Sequence, residues 1–193
     1  MTYKTYLAAS AALALTLSGC GRSDETATND MAMNEPMAVD TNDTIATGAE
    51  APMATADFVA AAAASDMYEM EAGKLAADRG TTQSIKDFGA MLQTDHKKST
   101  EELKIAVGQT PTTMPTAELK PEQKDMLDAL KAASGADFDK AFLDQQAEAH
   151  QKALSMLNAY AAGGADDPIK QWATKVAPVV QGHLDKAKAL QLH

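Results

Sequence analysis

The sequence predicts an all-α protein, a ferritin-like four-helix bundle with a long middle crossover that carries a short extra helix. Three observations predict it. Alanine is abundant and aromatic residues make up only 5% of the chain, which favours closely packed helices over a sheet. From Asp57 onward, apolar residues recur at helical spacing. Glycine and proline divide that region into four long segments and one short one.

The first helix is expected from Asp57 to Arg79, with Phe58, Ala61, Ala62, Ser65, Ala72 and Ala76 on one stripe and Gly80 ending it. The second runs from about Thr82 to Val107, where Ile85, Gly89, Leu92, His96, Ser99, Leu103 and Ala106 recur at heptad-like spacing. Pro111, Pro115 and Pro121 then interrupt any helix. A short helix follows from Pro121 to about Ala133, because proline suits a first turn. Ser134 and Gly135 break it, and the next stripe is Phe138, Phe142, Leu143, Ala147, His150, Leu154, Leu157 and Ala161. The last helix is expected to open with Asp167 as cap and Pro168 in its first position. Its stripe is Ile169, Trp172, Val176, Val179, His183, Ala187 and Leu190, and Pro178 inside it should bend it. Two helical hairpins joined by a long connection make a bundle of the crossover kind.

The region before Asp57 reads differently. Lys4 precedes an apolar run from Leu7 to Leu17, and Leu17-Ser18-Gly19-Cys20 closes it. A charged start, an apolar middle too short to span a bilayer and small residues at the end make a secretory signal over residues 1–19. The ending resembles the lipobox of bacterial lipoproteins, which implies cleavage before Cys20 and acylation of its thiol. Cys20 is the one cysteine of the 193 residues, so no intramolecular disulfide is available. Residues 20–56 are expected to be the lipidated cysteine and a disordered tether rich in Met, Thr and Asn. The tether carries Asp24, Glu25, Asp30, Glu35, Asp40, Asp43 and Glu50 against Arg22 alone, and cannot bury enough apolar surface to offset its chain entropy. Such a segment spans roughly 30 Å. The domain is then residues 57–193.

The charge of −10 argues against nucleic acid and against an electrostatic grip on anionic headgroups. The membrane is reached through acyl chains on Cys20, since a later bilayer-spanning segment is not evident. Gly21 after the cysteine resembles lipoproteins exported onward to the outer membrane. The expected location is the bacterial envelope, with the domain facing the periplasm.

Candidate chemistry rests on histidine. His96, His150 and His183 fall on three different helices, each in line with an apolar stripe. His150 lies 14 residues before a turn near Gly164 and His183 lies 19 after it, a level difference of about 7 Å at about 1.5 Å per residue. Glu69 and His96 flank the first hairpin turn and differ by about 4 Å in level. Glu69 shares the inward stripe, whereas Glu71 is rotated off it. Glu69, His96, His150 and His183 could together hold zinc, copper, nickel or iron. The same residues also suit a structural polar network in which Glu69 and Asp95 pair with buried histidines. A di-iron centre needs Glu three residues before His. Gln93, Ala147 and Val180 stand there instead. Met31, Met33, Met37 and Met53 are soft donors in the tether suited to Cu(I). Neither an activated nucleophile nor a phosphate loop is evident.

Tyr68-Glu69-Met70, Gly73-Lys74-Leu75-Ala76 and Ile85-Lys86-Asp87-Phe88 running on to Asp95-His96 resemble the first half of the domain-of-unknown-function 4142 family. Phe138-Asp139, His150, Pro178 and His183-Leu184 resemble its second half. The resemblance covers about residues 57–191. It implies a ferritin-like bundle in bacterial envelope or secreted proteins, with motif positions at Glu69 and the three histidines, and implies no activity or ligand. The leading expectation is a non-enzymatic envelope lipoprotein acting through an unidentified protein partner or as a stress-related factor. The alternative is a metal-binding or metal-buffering protein.

Overall fold

The computed structural model describes residues 53–192. The expected signal 1–19, Cys20 and its lipid, the tether methionines up to Met37, and His193 lie outside the described residues. Within them the chain is all-helical: α1 (Thr55–Arg79), α2 (Gln83–Val107), α3 (Pro121–Ala132), α4 (Gly135–Gly163) and α5 (Asp167–Gln191). No described helix is long and apolar enough to cross a membrane.

The ends of the helices have local causes. Thr82 caps α2, its side chain accepting from the Ile85 amide at 3.3 Å. Pro121 opens α3, where the Gln123 side chain accepts from the Lys120 amide at 2.9 Å. Gly135 takes φ +59° between α3 and α4, a conformation that costs other residues more. α1 begins at Thr55, two residues before the expected start. The Thr55 hydroxyl lies 2.8 Å from the Tyr160 hydroxyl and donates to Asp166 at 2.7 Å. α5 also starts one residue off the expectation. Asp166 occupies the cap position and Asp167 is already helical, paired with Lys170 at 2.7 Å.

Direction follows from contacts across the bundle. Phe58, at the start of α1, stacks on Tyr160 near the end of α4 with ring centroids 3.9 Å apart. α1 and α4 are therefore antiparallel, and each pairs with its hairpin partner, α2 or α5. α2 and α4 then run parallel, so the chain must travel the length of the bundle between them. That is the work of residues 108–134. α3 packs on α1 and α4, with Gln123 donating to the Ala64 carbonyl and Gln145 to the Met126 carbonyl. Arg79 at the end of α1 ties down the C-terminus of α3 through the carbonyls of Leu130, Lys131 and Ala133, and its guanidinium lies 5.0 Å from the Phe138 ring centre.

This covering explains why the α1 stripe differs from expectation. Ala61 and Ser65 are half-buried and border a groove beside α3, while Val59, Ala63, Ala64 and Asp66 are buried. A helix packed on three neighbours buries more than one face. Where α1 meets α2, Gly73 and Gly89 let the backbones touch. A Cβ on Gly89 would sit 2.4 Å from the Gly73 carbonyl oxygen.

Two apolar clusters fill the interior. One joins Phe58, Val107, Leu157, Tyr160, Ile169 and Trp172 at one end. The other joins Ile85, Phe88, Leu127, Leu130, Phe138 and Phe142 at the opposite end. Between them lies a buried polar layer containing Asp66, Glu69, His96, Ser99, Gln146, His150 and His183.

The α1–α2 contact sets how closely the helices carrying this layer approach. Gly89→Ala is expected to lower stability by about 1–3 kcal/mol through overpacking, read as a lower urea midpoint with unchanged helicity.

Candidate metal centre

Four helices bring the polar layer together: α1 supplies Asp66 and Glu69, α2 supplies Asp95 and His96, α4 supplies Gln146 and His150, and α5 supplies His183. The three imidazoles form a nearly equilateral triangle. Ring centroids are 5.6 Å apart for His96 and His150, 5.3 Å for His96 and His183, and 5.2 Å for His150 and His183. All three are buried, with at most 5% exposure. The 7 Å level difference expected for His150 and His183 does not keep their rings apart. Two side chains reaching inward from facing helices close it, and His150 Nε2 lies 3.3 Å from His183 Nδ1.

Each ring has one nitrogen turned outward onto an oxygen. His96 Nδ1 lies 2.8 Å from Asp66 Oδ1, and Thr100 holds the other Asp66 oxygen at 2.9 Å. His150 Nδ1 lies 2.9 Å from the Gln146 carbonyl, and His183 Nε2 lies 3.0 Å from Asp95 Oδ2. A carbonyl or a carboxylate only accepts, so these outer nitrogens carry the protons. In the neutral rings the lone pairs are then left on His96 Nε2, His150 Nε2 and His183 Nδ1. One nitrogen from each ring lies within 4.8 Å of the other two. His96 Nε2 has no partner among the described residues.

The electrostatics support neutral imidazoles at two corners. Burial, reinforced by the charge of His96, pushes His150 down to about 3. Burial also lowers His183, against the pull of Asp95. At His96 burial acts downward too, but the hydrogen bond to Asp66 and the charge of Glu69 outweigh it and the net shift is upward.

Of the residues expected from sequence, the three histidines converge. Glu69 is brought beside them and is buried, while Glu71 is exposed. Its Oε1 is 3.9 Å from His150 Nδ1, the outward nitrogen, so its carboxylate stands beside the triangle and not among the converging nitrogens. Glu69 Oε2 and both amide atoms of Gln146 lack partners among the described residues. Asp95 pairs with His183, as the polar-network reading expected of it. Asp66 and Gln146 were not anticipated. Asp66 was legible, since Ala62, Asp66, Glu69 and Gly73 follow one inward row at spacings of three and four. Gln146 acts here through its main-chain carbonyl, which every residue has, so no side-chain signal could mark it.

A carboxyl this deep should show in the metal-free fold. Burial pushes Glu69 up to about 7 from an ordinary 4.5. The native state therefore holds its proton longer than the unfolded chain does. The stability linked to it is fully present below pH 4.5 and is lost as pH rises through 7. Glu69→Gln is expected to give a higher urea midpoint than wild type at pH 8 in the presence of a chelator. The advantage should vanish by pH 4.5.

Comparison with known proteins bears on the fold and the family. No curated protein matches the sequence. A solved structure described as a DUF305 fragment from Deinococcus radiodurans is similar, with a TM-score of 0.62 at 12% identity, over 70% of this chain and 93% of that one. At that identity the likeness concerns the helical fold. Residues 41–190 match the family described as "Domain of unknown function (DUF4142)", which takes in all five helices up to Leu190 and the whole histidine layer, and the chain belongs to that family.

Proposed function

We propose that this chain is an envelope lipoprotein whose helical domain binds one divalent transition-metal ion, zinc being the reference case, in the triangle of His96, His150 and His183. The observation that carries the reading is the geometry of the rings: three outward nitrogens each face an oxygen acceptor, which leaves an inward lone pair on His150 and His183 and on His96 once its second proton is displaced by the ion. A tetrahedral ion with Zn–N bonds near 2 Å sets its ligand nitrogens about 3.3 Å apart. The His150–His183 pair stands at that spacing already. Outer oxygens on each imidazole are the usual support of ligating histidine, fixing the tautomer and raising basicity. Asp66, Asp95 and Glu69 around the triangle supply negative charge that offsets a dication.

A three-histidine site leaves a position for a water or for Glu69 after a change of rotamer. Imidazoles at most 5% exposed admit an ion or a water more readily than an organic substrate, which favours holding or buffering metal over catalysis. The lipobox at Cys20 and the acidic tether support a place on the periplasmic side of the outer membrane, with the domain held off the lipid. Asp66 on His96, itself held by the Thr100 hydroxyl, also suits the second reading, a metal-free polar network that fixes helix register.

Metal analysis of the full chain by mass spectrometry, followed by zinc titration, separates the two. One equivalent of zinc is expected, with about 2.7 kcal/mol of added stability at a free concentration a hundredfold above Kd. His150→Ala and His183→Ala are each expected to abolish binding while helicity persists. Absence of stoichiometric binding, with a melting point indifferent to zinc, would leave the network reading. For the anchor, Cys20→Ala is expected to release the protein into the soluble periplasmic fraction. Retention in the membrane would count against lipidation.

A further inference from the structure

The triangle is buried, so an ion must pass between helices to reach it. Within each hairpin, α1 against α2 and α4 against α5, the helices pack along their length. Two seams remain where the hairpins meet, α1–α4 and α2–α5. The α1–α4 seam is partly covered by α3, and the groove of about 130 Å³ left between α1, α3 and α4 is lined by none of the residues of the polar layer. On that side the layer shows Glu69 and Gln146, both at most 1% exposed. The α2–α5 seam opens on a shallow cleft of about 80 Å³ whose lining comes from α2 and α5 alone: Asp95, Lys98, Ser99, Glu102, Lys175, Val176 and Val179.

Asp95 connects that cleft to the site. Its Oδ2 accepts from His183 at 3.0 Å, while its side chain is 35% exposed. The corresponding acceptors on the other two rings differ. Asp66 is 5% exposed and Gln146 0%, so Asp95 alone of the three touches both an imidazole and solvent. Behind it, Ser99 lines the same cleft with a buried hydroxyl that has no partner among the described residues. Glu102 completes an oxygen row at i, i+4 and i+7 on one face of α2. Lys175 of α5 bridges the mouth by pairing with Glu102 at 2.8 Å.

From this arrangement we infer that the α2–α5 seam is the route by which a divalent cation enters and leaves the histidine triangle, with Asp95 as the carboxylate that hands the ion to His183. The inference rests on the metal reading above and adds its direction of exchange. Hard oxygen donors at the mouth take a hydrated cation at low cost in dehydration, and the imidazoles inside then replace its remaining waters. Asp95 is a positioning and relay residue, since its oxygen holds His183 and the nitrogens hold the ion. The Lys175–Glu102 pair partly neutralises the mouth and competes with an arriving cation for Glu102.

Stopped-flow mixing of the full chain with Zn²⁺, and release of bound Zn²⁺ to a chromophoric chelator, test the route. Asp95→Asn keeps an acceptor for His183 but removes the charge, and is expected to slow association by roughly tenfold. Val179→Arg places a cation beside the mouth without touching a ligand. It is expected to slow association and release by similar factors, leaving Kd within about twofold. Glu148→Gln, in the groove beside α3, should leave both rates unchanged. Wild-type rates in both Asp95→Asn and Val179→Arg, with zinc still bound, overturn the route and leave the metal site standing. So does slowing in Glu148→Gln alone. Should Asp95→Asn lose zinc by releasing His183, Val179→Arg still decides. A wild-type chain that binds no zinc overturns the metal reading itself, and the route with it.

Discussion

The outward hydrogen bond on each of three buried imidazoles is the constraint around which the middle of this bundle is arranged. An imidazole in a protein interior must place an N–H on an acceptor or lose about 1–3 kcal/mol. Asp66, the Gln146 carbonyl and Asp95 supply those acceptors from α1, α4 and α2. Once they do, the orientation of each ring is fixed and the second nitrogens have nowhere to face but one another. A bundle whose interior were apolar throughout would pack as well and would be easier to stabilise. The polar layer interrupts two separate apolar clusters, so its place in the structure asks for a reason other than stability. Ligation is that reason in the reading advanced above.

The clusters on either side do the stabilising. Stacking of Phe58 on Tyr160 with Trp172 edge-on closes one end, and the Phe88–Phe142–Phe138 set closes the other. Each joins residues of α1, α2, α4 and α5, so the two clusters bracket the central layer. The glycine pair at positions 73 and 89 draws α1 and α2 together, in the span of α1 just past Asp66 and Glu69. The crossover adds asymmetry. α3 lies over part of the seam between α1 and α4, while the seam between α2 and α5 carries Asp95, which reaches both solvent and His183.

Much of the fold was legible because helices announce themselves locally. Gly80, Pro121, Gly135 and Pro168 sit where helices stop or start, and the observed limits differ from the expected ones by a few residues at most. The differences have causes that local patterns do not carry. Thr55 is helical because its hydroxyl finds Tyr160 and Asp166, more than a hundred residues away. Asp167 is not the cap because Asp166, one residue earlier, takes the turn. The three histidines were legible as candidates because each falls on an apolar stripe. Glu69 was legible for the same reason, and the structure confirms its burial while placing it beside the outward nitrogen of His150.

The sequence by itself determined the helices, their order and the two hairpins, because hydrophobic period and helix-ending residues act over a few positions of chain; of the inward residues it missed some, since Val179 of the expected α5 stripe is 44% exposed and Val180 is buried instead. It also puts the sole cysteine at position 20, before the first helix, so the five helices carry no thiol. Only the tertiary structure decided which nitrogen of each histidine points inward, that Asp66 and a main-chain carbonyl hold two of the rings, and which seam α3 covers. The Gln146 carbonyl is only four positions from His150, whereas the other outcomes depend on hydrogen bonds and packing between residues 19 to 88 positions apart. Helical periodicity fixes the face of a residue, and its partner across the bundle is set by how the helices meet.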